Sequence, residues 1–306
     1  MAFETPCFRW YFLAPRFWLL WLGLGVGWLL VQLPYRLLLP LGRVLGRLLM
    51  RYGKRRVAIA RKNLELCFPE LSLDQREVLL RKNFESMGIG AIEVGISWWW
   101  PKWRLYRLFH AEGLANLEAI EGQGALMLCL HFSTLEVGAG YLAHQCRIDA
   151  MYRKHSNPLF DWVQQRGRQR HNLEGETIER EDVRSMLRAL RNGHRIWYAP
   201  DQDYGRKQSV FVPFFGVTAA SVTATSRFAR LGKAKVVPCI QTRLADGSGY
   251  RMRFLPALED FPTENEEADA RRINELIETE IRKQPEQYMW LHRRFKTRPE
   301  GESSFY

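Results

Sequence analysis

Two side chains that could share a proton, His131 and Glu136, stand close together in the segment LCLHFSTLE. His131 follows an apolar run that predicts a β-strand, and Glu136 comes five residues later. This spacing fits neither one face of a helix nor one face of a strand, so the two can meet only if the chain turns between them. A carboxylate that holds the Nδ1 proton of a histidine leaves Nε2 free to act as a general base. The pair therefore indicates proton abstraction as candidate chemistry.

The residues between this pair predict the required turn. The sequence STLE has the form of a capping box, with Ser133 as N-cap of a helix and Glu136 at its third position. His131 would then lie at the carboxyl end of a strand, where open α/β sheets bind their ligands. The alternative interpretation is that Glu136 only caps its helix.

Spacing alone does not identify the pair. Seven histidines and 33 acidic residues in 306 positions predict about 0.8 such matches by chance. The sequence contains three: His131 with Glu136, His144 with Asp149, and His171 with Glu176. Of the three histidines, His144 falls in a helical pattern and His171 in a polar loop. Only His131 is predicted at a strand end.

Cys129 is a second candidate nucleophile, because strand alternation places it on the same face as His131. An apolar strand raises the pKa of a thiol and makes the thiolate scarce, which argues against a covalent intermediate on Cys129. The five cysteines contain no C-x-x-C pair, and no glycine-rich or P-loop motif is found. We therefore expect reduced thiols, no metal and no cofactor.

Apolar runs and helical patterns alternate through most of the chain. Strands are predicted at 124–130, 195–199 and 234–240, and helices at 134–146, 157–170, 180–192 and 267–284. A further helix begins in a capping box formed by Ser72 and Gln75 and is expected to end at Gly88. The predicted fold is α/β, with a mixed, largely parallel sheet covered by helices and one domain over residues 57–306.

Residues 1–56 form a separate unit in this interpretation. An uncharged apolar run at 17–33 would span about 26 Å as a helix, which is near the lower limit for crossing a bilayer core. A buried helix of the soluble core is the alternative. The row Arg43, Arg47 and Arg51 predicts a following helix that lies in the lipid headgroup layer.

The charge distribution agrees with a membrane as partner. The net charge is +12, and residues 1–56 carry nine basic residues and one acidic residue. An excess concentrated beside an apolar segment favours a membrane over nucleic acid. Two of the basic residues precede the apolar run and seven follow it. The richer flank normally stays in the cytoplasm, so the body of the protein is expected on that side, attached by a single pass.

Several segments resemble, in order, those of the bacterial lipid A late acyltransferases. They are HFSTLE, YRKHSNPLFDWVQQRGRQR, WYAPDQDYG, SVFVPFFG, VVPC and QYMWLHRRFKTRPEG, and the likeness extends over nearly the whole chain. The resemblance implies an acyltransferase with an H-x-x-x-x-[D/E] motif at the bacterial inner membrane. It would move a fatty acyl group from acyl carrier protein to a hydroxyl of a hydroxyacyl chain on a lipid A precursor.

The resemblance also implies roles for residues outside the His motif. The family's other functional arginine and aspartate fall on Arg168 and Asp201, and Arg153 lies in the same segment as Arg168. Considered alone, the two arginines are surface cations or phosphate clamps, and Asp201 could be a turn residue. A basic cluster near the C-terminus is either a solvated patch or a phosphate contact. It comprises Arg293, Arg294, Lys296 and Arg298.

Two alternative functions remain open at this point. One is acylation of another lipid, such as a lysophospholipid. However, the related glycerolipid acyltransferases carry an E-G-T motif where this chain has PDQDYG, which argues against a phospholipid acceptor. The other is a non-enzymatic, basic membrane-binding protein.

Overall fold

The computed structural model describes residues 7–170, 172 and 175–306, which begin with helices and continue as alternating strands and helices. The α-helices are α1 (Trp18–Val31), α2 (Tyr35–Tyr52), α3 (Lys54–Cys67), α4 (Leu73–Trp99), α5 (Lys102–Tyr106), α6 (Leu114–Glu118), α7 (Leu135–Gln145), α8 (Pro158–Gln169), α9 (Val183–Arg191), α10 (Ala224–Gly232) and α11 (Glu266–Lys283). The strands are β1 (Phe109–Glu112), β2 (Ala125–Leu128), β3 (Ile148–Tyr152), β4 (Thr177–Glu179), β5 (Arg195–Tyr198), β6 (Ser209–Phe214), β7 (Val217–Val222), β8 (Lys235–Arg243) and β9 (Tyr250–Phe254). Short 3-10 turns occupy Trp10–Leu13, Pro15–Phe17, Arg206–Gln208 and Pro285–Gln287.

One sheet organises the described chain. Its strand order is β1-β9-β8-β2-β5-β3-β4, and β6 and β7 form a separate antiparallel hairpin. Within the sheet only β8 and β9 pair in antiparallel fashion, and the other neighbours are parallel. The prediction of a mixed, largely parallel α/β fold is therefore confirmed. Because β2 lies between β8 and β5, the residues that follow it lie near the middle of one sheet edge.

The three strands predicted from apolar runs are the three central neighbours β8, β2 and β5. Both faces of these strands are covered, so their sequences are continuously apolar and easy to detect. All four residues of β2 are buried. In contrast, β1 alternates between partly buried and exposed residues. Such an edge strand is short and has no continuous apolar run, which explains why sequence patterns missed it.

The helix that begins at Ser72 starts as predicted but ends later. Ser72 and Gln75 form both hydrogen bonds of the capping box. The helix α4 then continues to Trp99 and does not end at Gly88. A Cβ at Gly88 would lie 2.2 Å from the carbonyl oxygen of Gly42 on α2. This glycine is therefore needed for the close crossing of α2 and α4 and is not a terminator.

The N-terminal apolar run forms α1, which ends three residues before Pro34. Among the described residues, no helix is both long enough and apolar enough to cross a membrane. The single-pass anchor and the boundary at residue 56 therefore stay predictions. The arginine row does lie on a helix, α2, with Arg43, Arg47 and Arg51 all exposed.

Candidate active site

His131 lies three residues beyond the end of β2, at the carboxyl edge of the sheet, where its sequence context placed it. Its backbone amide donates to Asp201 Oδ2 at 2.8 Å, and its carbonyl accepts from the Met289 amide at 2.9 Å. The side chain is 16% exposed and lines a cavity of about 900 Å³. The ring is therefore held in place and open to a ligand in that cavity.

The hydrogen-bond partner of the His131 ring is Asp201 and not Glu136. Asp201 Oδ1 bonds His131 Nδ1, while Asp201 Oδ2 accepts from the His131 amide. Asp201 follows β5, which pairs in parallel with β2 and places Tyr198 opposite Leu128. Equivalent ends of adjacent parallel strands thus bring the two residues together. The Asp201 side chain is fully buried, and both of its oxygens contact His131. A role of Asp201 in binding substrate stays a prediction.

The environment favours the charged forms of both partners. Burial lowers the pKa of the His131 imidazole, but the charge and hydrogen bond of Asp201 outweigh it, so the pKa lies above its ordinary value. Burial raises the pKa of Asp201, but His131 outweighs that effect and leaves the pKa below its ordinary value. An ionised Asp201 can hold the Nδ1 proton and stabilise an imidazolium. No described residue is found to hydrogen-bond His131 Nε2.

Glu136 faces the same cavity but pairs with Arg168 of α8. The Arg168 Nε and Nη2 groups donate to its two carboxylate oxygens at 2.8 and 2.7 Å, and the indole of Trp98 donates at 2.7 Å. Burial raises the pKa of Glu136, but Arg168 and Trp98 reverse this and lower it. The prediction that Glu136 holds the His131 Nδ1 proton is therefore wrong, because its oxygens are committed to α8 and α4.

The predicted capping box at Ser133 is also wrong. Helix α7 has Thr134 as N-cap, without a side-chain capping bond, and the Thr134 hydroxyl instead donates to the Gln241 carbonyl at 2.9 Å. Ser133 Oγ accepts from Arg243 Nη2 at 3.1 Å and lies 2.9 Å from Ser86 Oγ. The turn after His131 is therefore fixed by tertiary contacts and not by the helix that follows it.

A buried ion pair behind this turn was missed in the sequence. The Arg243 Nε and Nη2 groups donate to the two carboxylate oxygens of Glu93, both at 2.7 Å, and the Tyr250 hydroxyl donates to Glu93 at 2.9 Å. One signal could have revealed it, since Glu93 is the only charged residue from 86 to 101. A lone carboxylate in an apolar helix has to find a buried partner.

The C-terminal segment contacts both members of the His131–Asp201 pair, referred to below as the dyad. Besides the Met289 contact, the Tyr288 hydroxyl donates to the Asp201 carbonyl at 3.2 Å. His292 Nε2 accepts from the Asp203 amide at 3.3 Å. Burial, together with the nearby Lys296 and His131 cations, lowers the pKa of His292 to about 4 and keeps it neutral, as an acceptor must be.

The predicted basic cluster near the C-terminus is not one surface. Arg294 is buried and donates to the Ala220 carbonyl at 2.8 Å and to Ser221 Oγ at 3.0 Å, which makes it a structural residue. Lys296 is exposed, and Arg298 is partly buried and donates to the Thr218 carbonyl.

The remaining candidates are distributed as follows. Arg153 is exposed and lines the cavity of His131. Cys129 is buried one residue beyond β2, and burial raises the pKa of its thiol well above its ordinary range. His144 packs against the Tyr106 ring, whereas His171 lies outside the described residues. In the part of the chain that the structure describes, no cluster of side chains could hold a metal ion.

A histidine oriented by a buried carboxylate, with its second nitrogen free beside a cavity, is suited to deprotonating a hydroxyl group. Comparison with known proteins adds the reaction class. The family of bacterial lipid A biosynthesis acyltransferases matches residues 5–297. The chain belongs to this family and is an acyltransferase of lipid A biosynthesis.

Several curated relatives match along nearly their whole length. A lipid A biosynthesis palmitoleoyltransferase of Escherichia coli K12 is 46% identical over 96% of each chain, and a lauroyltransferase of the same organism is 46% identical over 99% of each. A lipid A biosynthesis acyltransferase of Haemophilus influenzae is 42% identical over 97% of this chain and 96% of its own. The 1-acyl-sn-glycerophosphate acyltransferase structure from Thermotoga maritima has a TM-score of 0.37 at 12% identity, covering 75% of this chain and 96% of its own.

Proposed function

We propose that the protein transfers a fatty acyl chain from acyl carrier protein to a hydroxyl of a hydroxyacyl chain on a lipid A precursor, with His131 as general base. The observation that carries this proposal is the His131–Asp201 pair, with Nε2 beside a cavity large enough for acyl chains. The family supplies the lipid A context. The specific donor and acceptor are inferred from the resemblance stated above.

In the proposed reaction, His131 Nε2 takes the proton of the acceptor hydroxyl while its oxygen attacks the thioester carbonyl carbon. The tetrahedral intermediate then collapses, the carbon–sulfur bond breaks, and the imidazolium returns the proton to the leaving thiolate. Asp201 stabilises the imidazolium in between. Base catalysis of this kind contributes typically about 10² to 10⁴ in rate. No metal, redox group or covalent enzyme intermediate is required by this balance.

Glu136 and Arg168 act together in the proposal. Glu136 fixes the Nε and Nη2 edge of the guanidinium, and Arg168 keeps about a third of its side chain exposed on the cavity side. No described residue is found to hydrogen-bond Nη1. We assign Arg168 to holding an oxygen of the substrate and Glu136 to positioning Arg168, since a fixed guanidinium recognises oxygen anions well.

Attachment to the inner membrane, with the body on the cytoplasmic side, belongs to the same proposal. Helices α1 and α2 expose large apolar side chains beside the arginine row. They are Trp18, Leu19, Leu22, Val26, Trp28, Leu29, Leu37, Leu41, Val44, Leu45, Leu48 and Leu49. Such a surface favours insertion into the headgroup and acyl boundary. Carbonate and high-salt washes of membranes should leave the protein bound, and release by salt alone would reduce the contact to electrostatics.

The central experiment is transfer by purified protein, followed by mass spectrometry of the acceptor. With acyl carrier protein loaded with a fatty acid, the lipid A precursor should gain one acyl chain, and a lysophospholipid should gain none. His131→Ala should reduce transfer by about 10² to 10⁴ without unfolding, whereas His144→Ala should stay active. Equal transfer to both acceptors would contradict the lipid A precursor as the specific acceptor. Full activity of His131→Ala would contradict His131 as the general base.

The donor assignment is tested by salt. Acyl carrier proteins are acidic, so their docking to this basic protein should be steered by charge. Screening lengths fall from about 8 Å at physiological ionic strength to about 3 Å at 1 M salt. The KM for acyl carrier protein should rise with salt while kcat changes less. Equal use of acyl-coenzyme A of the same chain length, with no salt effect specific to the carrier protein, would contradict the assignment.

A further inference from the structure

The carboxyl ends of four neighbouring strands carry a row of polar residues. Parallel strands β2, β5, β3 and β4 lie side by side in that order. After their ends come His131, Asp201, Arg153 and Arg180, respectively. Neighbouring strands lie about 4.8 Å apart, so the last two strands stand roughly 10 to 15 Å from the strand of the base. The row thus passes from the dyad to a pair of arginines along one sheet edge.

The cavity that His131 lines has more cations than carboxylates. Its charged lining residues are Arg153, Arg168, Arg180, Lys207, Glu136 and Glu181. Because Glu136 and Arg168 neutralise each other through two short bonds, the excess lies with the other three cations. Glu181 lies on the surface with its side chain 91% exposed, and its carboxylate is 3.8 Å from Arg180, a contact that water weakens.

These three cations are available to a ligand. Among described residues, no carboxylate is found within ion-pair distance of Arg153 or Lys207. Arg180 lies over the Tyr204 ring, with 5.9 Å between the guanidinium carbon and the ring centroid. An aromatic ring below an arginine limits its rotation and leaves its N–H groups for an anion. Three cations that line one cavity suit a phosphate, which has several acceptor oxygens.

We propose that Arg153, Arg180 and Lys207 form a phosphate-binding subsite of this cavity, separate from the dyad. The inference rests on the proposed function, in which two phosphates reach the site. One belongs to the glycolipid acceptor, and the other joins the pantetheine arm to the carrier protein. Binding of either phosphate at this subsite would fix the position of the substrate and place its reacting group near His131.

The kinetic test uses the triple substitution Arg153→Ala, Arg180→Ala and Lys207→Ala. The matched controls are Lys154→Ala, next in sequence, and Lys235→Ala at the start of β8, which are exposed cations that do not line the cavity. Each lost charge-assisted contact should raise the relevant KM about tenfold. We expect a rise of at least that size for the triple variant and less than twofold for each control, with kcat changing less than KM.

Paired substrates identify the source of the phosphate. If the acceptor phosphate binds, the KM for the phosphorylated glycolipid rises in the triple variant and the KM for the same glycolipid after phosphatase treatment does not. If the donor phosphate binds, acyl-phosphopantetheine is affected and acyl-pantetheine is not. A triple variant that matches the controls with all four substrates overturns the subsite.

Binding without turnover separates this proposal from the proposed function. Isothermal titration of the wild-type protein with phosphopantetheine and with glucosamine 1-phosphate is compared with titration by pantetheine and by glucosamine. At least one phosphorylated probe should bind about tenfold more tightly than its phosphate-free counterpart, and the triple variant should lose that preference. Retained preference in the triple variant, or no preference in the wild type, refutes the subsite. Phosphate preference in a protein that transfers no acyl group would instead refute the proposed function.

Discussion

Two glutamate–arginine pairs flank the turn that carries His131, and they differ mainly in exposure. Both are bidentate, with bonds of 2.7 to 2.8 Å. In the pair Glu93–Arg243 the side chains are 1% and 8% exposed, whereas in Glu136–Arg168 they are 15% and 34% exposed. The buried pair contacts Ser133 and Ser86 as well, while the other pair lines the cavity.

The difference shows that the same pair of chemical groups has different roles when it is buried and when it is partly exposed. A buried pair is expensive to break, because removing one partner leaves an uncompensated charge away from water. Its contribution is to hold one geometry, here the turn after His131. A pair at a cavity wall loses less on mutation, since water can replace the missing partner. That pair can exchange contacts with a substrate, which a sealed pair cannot.

The largest expected effect is on stability. Arg243→Met leaves Glu93 buried without a counter-charge and should lower the free energy of unfolding by about 3 to 5 kcal/mol. Arg168→Met should lower it by no more than about 1 kcal/mol, because that pair is partly exposed. Urea unfolding of both variants in the same detergent makes the comparison.

The double variant Glu93→Gln with Arg243→Met supplies the control for this measurement. It removes both charges and should recover part of the stability that Arg243→Met loses. The distinction between the pairs would be lost if the two single arginine variants were equally destabilised.

The next effect is on activity. Arg168→Lys keeps the charge but loses the planar fork that Glu136 holds, so kcat/KM should fall by about 10 to 100-fold while the unfolding midpoint hardly moves. Arg166→Lys, on the exposed side of the same helix, is the matched control and should change kcat/KM less than twofold. Loss of stability in parallel with activity would show that Glu136–Arg168 is structural like its buried counterpart.

The third effect is on pH dependence. A general base must be neutral, so kcat/KM should rise as pH increases through the pKa of His131, which lies above its ordinary value. In Asp201→Asn the group that raises this pKa is gone while burial, which lowers it, remains. The acidic limb should therefore move to lower pH in that variant, and kcat should fall.

Glu136→Gln tests whether the cavity pair takes part in this titration. The structure places Glu136 on Arg168 and not on the His131 ring. The position of the acidic limb should therefore stay as in the wild type, although activity drops. A limb displaced by Glu136→Gln and unmoved by Asp201→Asn would restore Glu136 as the partner of the base.

The smallest expected effect concerns the two serine hydroxyls that bond Arg243 of the buried pair. Ser86→Ala and Ser133→Ala each remove one hydrogen bond from Arg243, at 3.1 Å in both cases, and each should cost about 1 kcal/mol of stability. Only Ser133 belongs to the turn after His131, so only Ser133→Ala should also lower kcat. Parallel unfolding curves and initial rates check this, and equal kcat values in both variants would show that the turn does not depend on Arg243.

Much of the local structure was determined by the sequence alone. The capping box at Ser72 needs only neighbouring residues, and it formed as predicted. The central strands are recognisable because burial on both faces requires continuous apolar runs. For the same reason His131 could be placed at a strand end. The family resemblance was confirmed as well. It could be recognised from the sequence because its motifs are contiguous segments.

The partners of the functional side chains were decided only by the tertiary structure. Glu136, five residues from His131, was the natural choice from the sequence, yet Asp201 takes the place beside its ring from 70 positions away. That contact depends on β5 lying next to β2 in parallel register, and the contact of Ser133 with Arg243 depends on β8 lying on the other side. Sheet order is set by the packing of the whole chain, and a spacing of five residues carries no information about it.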